Sequence, residues 1–144
     1  MRERAGGAYG AADFERQRTE SRAAFLRQFA AVIDGRDSFD AAALEPSTLS
    51  RLLWIRCHTA EEAVKAGDLV LRDGNLPVVL LDLALNPVAE LRKIPAPTWY
   101  RFQRIVEQST ATFIVLTPQA LIAPAEVRVT LTFASSLKYC SIIP

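Results

Sequence analysis

Val78-Val-Leu-Leu-Asp-Leu83 is the most hydrophobic run in the chain, and it is continuous rather than alternating. A strand with that pattern belongs in a parallel sheet, where helices cover both faces. Its flanks agree. Upstream, Ala60 to about Arg72 places Ala63, Val64, Gly67 and Leu71 on one side and Glu61, Glu62, Lys65 and Asp68 mostly on the other, the spacing of an amphipathic helix. Thr59 is suited to cap it, Gly74 to close it in the left-handed conformation, and Pro77 prevents its continuation.

Further out the same alternation of elements continues. Phe29-Ala-Ala-Val-Ile-Asp34 reads as a first core strand opening into a loop at Gly35, and Arg51 to Cys57 as a second strand rich in branched and aromatic residues. Pro95 and Pro97 precede a helix from Thr98 to about Gln108 with Trp99, Phe102, Ile105 and Val106 at helical spacing, a pattern of core packing. Thr112 to Thr117 is another buried strand. Pro118 opens a short single-turn element through Ile122, and Glu126 to Phe133 alternates as an edge strand with one wet face. Strands separated by helices predict an α/β domain with a mostly parallel sheet flanked by helices.

Residues 29–134 form the core in this reading, 1–28 a loose start and a polar helix from Asp13, and 135–144 a C-terminal tail. The chain has 144 residues, enough for one buried core, with 50% apolar and 23% charged residues. A formal charge of +1 gives no global reason to expect nucleic acid, an anionic membrane or an acidic substrate. The apolar runs fall far short of the roughly 20 residues that span a bilayer. Met1-Arg-Glu-Arg4 lacks a following apolar stretch of signal type, so a cytoplasmic protein is expected. Cys57 and Cys140, far apart and with a single His in the chain, predict reduced thiols rather than a zinc site.

Ligands of open α/β sheets bind beyond the carboxyl ends of the strands, which singles out Asp34, Asp82 and Thr117. Four apolar residues ending in Asp82 is how nucleotide hydrolases hold a carboxylate near magnesium, though the same Asp also suits a plain loop cap. GxxxxGK[ST] is missing, and no Gly-Lys pair exists anywhere in the chain. Gly6 to Gly10, the one Gly-rich stretch, follows no strand and reads as a flexible start. Cys57 and His58 are neighbours on a strand end and face opposite ways, unlike a nucleophile and its base. Arg92, Lys93, Arg101 and Arg104, with Trp99 or Tyr100, are nucleic-acid candidates; nearby Glu90 and Glu107 dilute that patch, whose other reading is solvated surface charge.

Ala31-Val-Ile-Asp-Gly-Arg-Asp-Ser-Phe-Asp40 resembles the RecA segment that ends a strand in Ile-Asp and reaches a second Asp six residues later. The resemblance runs to about Pro118. Leu71 to Leu83 and Glu90 to Pro95 look closer still to RecA-like proteins of the ImuA type, which accompany error-prone translesion polymerases. This likeness implies a P-loop NTPase core that is N-terminally incomplete. It further implies Asp40 on the adenine side and Asp82 on the magnesium side of a vestigial nucleotide site. The implied role is an accessory of the bacterial DNA damage response, with a translesion polymerase-type protein or RecA as partner and DNA as another.

Departures from the family bear on activity. Its catalytic Glu corresponds to Arg36, and its phosphate-sensing Gln falls near Pro118, with Gln119 adjacent. The expectation is therefore a protein that does not hydrolyse ATP and needs no cofactor, acting by protein contact; ATP with magnesium, or DNA, defines the alternative. Two readings of the missing loop stand: a degenerate scaffold, or a start downstream of the family's usual beginning.

Overall fold

The structure, a computed structural model, describes residues 27–133 and 136–143. Six strands form one mixed sheet: β1 (Ala30–Asp34), β2 (Leu52–Arg56), β3 (Val78–Asp82), β4 (Thr112–Thr117), β5 (Val127–Phe133) and β6 (Ser136–Ile143), in the order β2-β1-β3-β4-β6-β5. The helices are α1 (Pro46–Leu49), α2 (Ala60–Asp73), α3 (Val88–Leu91) and α4 (Ala96–Glu107). Neighbours among β2, β1, β3 and β4 are parallel; β6 runs antiparallel to both β4 and β5.

α2 forms where its sequence says it must. The Thr59 side chain accepts from the Glu62 N–H, Gly74 closes the helix at φ 71, and Ala63, Val64, Gly67 and Leu71 are its buried stripe. That stripe packs against β1 and β3, in one buried cluster that holds Ala31 and Ile33 of β1, Val79 and Leu81 of β3, Phe113 and Val115 of β4 and Ile143 of β6 on the same sheet face. α4 lies on the same face. Phe102 is fully buried, edge-on to Phe113 at 5.3 Å between ring centroids and to Trp99 at 5.9 Å. Burying one such ring contributes about 1.5–3 kcal/mol.

Alternation along each strand sends Val32, Trp54, Leu80, Ile114 and Ile142 to the second face. Over β2 it is covered by the loop leaving β1, whose Phe39 meets Trp54 edge-on at 5.6 Å. At the far edge Val127 and Val129 of β5 remain 45% and 44% exposed.

Four expectations change. The sheet is mixed rather than mostly parallel, because residues 136–143 of the expected tail form β6 and insert between β4 and β5. Pro118–Ile122 makes no helical turn: Thr117 Oγ1 donates to the Gln119 carbonyl at 2.6 Å and Ile122 is fully buried, which ties the segment down as a loop. α4 begins two residues earlier than expected, at Ala96, with Pro97 in its first turn. Arg27 and Gln28 are turn residues rather than helix; the rest of the expected helix from Asp13, with Gly6–Gly10, lies outside the described residues.

Candidate functional site

Parallel strands in register bring their ends together. Arg56, Asp34, Asp82 and Leu116 form one row across β2, β1, β3 and β4, so the two carboxylates singled out by sequence are cross-strand neighbours at the carboxyl edge. Hydrogen bonds extend the sheet past this row: Cys57 N to Asp34 O at 2.8 Å, Gly35 N to Asp82 O at 2.9 Å and Leu83 N to Leu116 O at 2.9 Å.

Asp34 is fully buried, and its carboxylate is spoken for. Oδ2 accepts from the Phe39 N–H at 2.7 Å; Oδ1 accepts from the Arg36 N–H at 3.2 Å and the Ser38 hydroxyl at 3.4 Å. Burial alone raises such a carboxyl, but the backbone of Ser38, Phe39 and Arg36, with the Trp54 indole nearby, outweighs it and holds Asp34 below the ordinary carboxylate range. Asp82 is half-buried; its Oδ1 accepts from the Ala84 N–H at 3.0 Å, a local loop cap. Asp40 is exposed and caps the 3-10 turn Ala41–Ala43 through the Ala42 N–H at 3.1 Å. Asp34 and Asp40 thus order the loop behind β1, and Asp82 the loop behind β3.

The loop after β1 is further fixed by Asp37, which stands at φ 52, in the left-handed region. Arg56 reaches it with Nε and Nη2, both at 2.6 Å, and that hydrogen-bonded pair lowers the Asp37 carboxyl and raises the Arg56 guanidinium. The same guanidinium lies 5.0 Å from the Trp54 ring centroid. Arg36 donates Nη1 to the His58 carbonyl at 3.2 Å.

Sequence reasoning missed Asn86. It is 3% exposed and donates Nδ2 to the Gly35 carbonyl at 3.0 Å, binding the loop after β3 to the loop after β1. Asn86-Pro87 is a turn dipeptide, which signals the bend but not the partner.

The cationic candidates separate. Arg92 donates to Gln119 Oε1 at 3.4 Å, Arg101 pairs with Asp68 at 3.0 Å, and Arg104 is exposed in the last turn of α4. Trp99 is 5% exposed and packed in the core, so it offers no face to a base; Tyr100 is 46% exposed. Lys93 and Arg101 line one cavity of about 580 Å³, together with Thr59, Glu61, Val64 and Lys65 of the α2 segment and Glu90, Ile94, Pro95 and Thr98. Cys57 is buried and its thiol pushed up by burial and by Glu62 and Asp34, the reverse of an activated nucleophile. Among the described residues no three His, Cys, Asp or Glu side chains are grouped to hold a metal ion, and no helix is long and apolar enough to cross a membrane.

Fold and site together define an α/β protein: a six-strand mixed sheet flanked by helices, with an internally hydrogen-bonded carboxyl edge. No protein family and no curated protein matches the chain.

Proposed function

We propose that this chain is a RecA-like accessory module that does not hydrolyse nucleotide and works by protein contact in the bacterial DNA damage response, beside a translesion polymerase-type protein or RecA. One observation carries the first half of this reading. Asp82 and Asp40, which the likeness puts on the magnesium and adenine sides of a nucleotide site, here accept N–H groups of their own loops, as the strand-end Asp34 does. Arg36 in place of a catalytic carboxylate supports it, because a guanidinium accepts no proton from water. The damage-response half rests on the likeness of Leu71 to Leu83 and Glu90 to Pro95 to ImuA-type proteins.

Calorimetry with magnesium and ATP on the folded chain tests the first half, and co-purification with RecA or a translesion polymerase subunit tests the second. The reading expects no heat of ATP binding and a nucleotide-independent complex. Micromolar ATP affinity, abolished by Asp82→Ala, overturns it.

A further inference from the structure

The cavity between α2 and the segment from Glu90 to Arg101 is lined by both apolar and charged side chains. Val64, 8% exposed, with the half-buried Ile94 and with Pro95, gives it an apolar lining. Lys65, Lys93 and Arg101 stand around it with Glu61 and Glu90. Most of these charges are already matched. Lys65 pairs with Glu61 at 2.8 Å, Arg101 with Asp68 at 3.0 Å, and Glu90 Oε2 accepts from the Ala60 N–H at the start of α2 at 3.2 Å. Lys93 is exposed and, among the described residues, its ammonium has no ion pair. The volume of about 580 Å³ falls within the roughly 300–1,000 Å³ of pockets that enclose a ligand.

We propose that this cavity is a docking pocket for a short acidic-apolar segment of a protein partner, a leucine-type side chain against Val64, Ile94 and Pro95 and an adjacent carboxylate on Lys93. The inference rests on the reading of the chain as a partner-binding module and gives that partner its chemistry. A nucleic-acid strand fits less well. Its phosphates repeat every few ångströms and call for several free cations, whereas among the described residues lining this cavity one cation, Lys93, has no ion pair, and Glu61 and Glu90 line it too. A peptide needs only one cation, and an exposed charge of this kind sets register and encounter rate.

The test uses the full chain and three fluorescein-labelled probes: a peptide with two leucines between Glu and Asp, the same peptide with Gln and Asn in place of the acids, and oligothymidylate. Anisotropy is expected to rise with the acidic peptide, about fivefold or more tighter than with its amide counterpart. Amide shifts in the protein's NMR spectrum should centre on Thr59–Lys65 and Lys93–Arg101. Lys93→Glu, an exposed position, weakens the complex by at least about fivefold, and Arg104→Glu, outside the cavity lining, leaves it within about twofold. Equal binding of both peptides, preference for oligothymidylate, or no binding up to millimolar peptide overturns the proposal. The module reading falls separately, on the ATP calorimetry.

Discussion

Asn86 donates its side-chain amide to the carbonyl of Gly35 at 3.0 Å, joining two loops 51 residues apart in sequence at the carboxyl edge of the sheet. The approach is close enough to require glycine. A Cβ on Gly35 meets Asn86 Oδ1 at 2.3 Å, the Asp82 carbonyl oxygen at 2.8 Å and Leu83 Cδ2 at 2.9 Å. Gly35→Ala should therefore cost about 1–3 kcal/mol by urea unfolding. In an Asn86→Ala background, itself weakened by loss of the hydrogen bond to the Gly35 carbonyl, Gly35→Ala should cost less but still something, since the backbone contact at Asp82 stays. An alanine tolerated within about 0.5 kcal/mol would show that the loops are not packed this closely.

Asp34→Asn keeps the shape of the side chain and removes the charge that three loop donors share. A loss of about 1.5–3 kcal/mol at neutral pH is expected, the range for hydrogen bonds to a buried charged group. The folded carboxyl is held below its ordinary 3.8, so its contribution is fully present above about pH 4 and is lost as pH falls through the lower folded value. Wild type and variant should converge in stability as pH drops below that point. A gap that stays constant down to pH 3 contradicts the charged role.

Gly67 lies within α2, and its packing gives the opposite sign to Gly35. A Cβ there sits 3.7 Å from Ile33 Cδ1 and 3.9 Å from Phe102 Cζ, ordinary contact distances. Gly67→Ala should stabilise the chain by about 0.5–1 kcal/mol, the helix-propensity difference. Gly67→Leu should destabilise by about 1–3 kcal/mol through overpacking. Thermal unfolding of both variants checks the pair, and destabilisation by alanine would place the helix closer to the sheet than described.

The elements that sequence made legible are those whose signals are local. Val78–Asp82 reads as a buried strand from its run of apolar residues, and α2 from Thr59 and Gly74, which cap it as expected. What escaped depends on partners distant in sequence. The alternation of Val127–Phe133 marks an edge strand but does not say that β6 lies between it and β4. The sequence likewise places Asp34, Asp40 and Asp82 at strand ends and in loops, whereas which N–H each accepts is set by loop closure. Asn86 and the Asp37–Arg56 pair are side-chain meetings between loops and strands, invisible to any periodicity.

Glu90 allows the charge and the hydrogen bond at the start of α2 to be separated. Two side chains serve that helix end: Thr59 Oγ1 takes the Glu62 N–H and Glu90 Oε2, from α3, takes the Ala60 N–H, both at 3.2 Å. Glu90→Gln retains an oxygen acceptor and removes only the charge beside the positive end of the helix dipole, so it should cost about 0.3–1 kcal/mol and less in high salt. Glu90→Ala removes the acceptor too and should cost a further 0.5–1.5 kcal/mol or so, a part that salt does not screen. Unfolding of both variants at low and high ionic strength measures the two contributions. Equal losses for Gln and Ala at every salt concentration would mean that Glu90 acts as a charge alone, and that α3 is not tied to α2 through the Ala60 N–H.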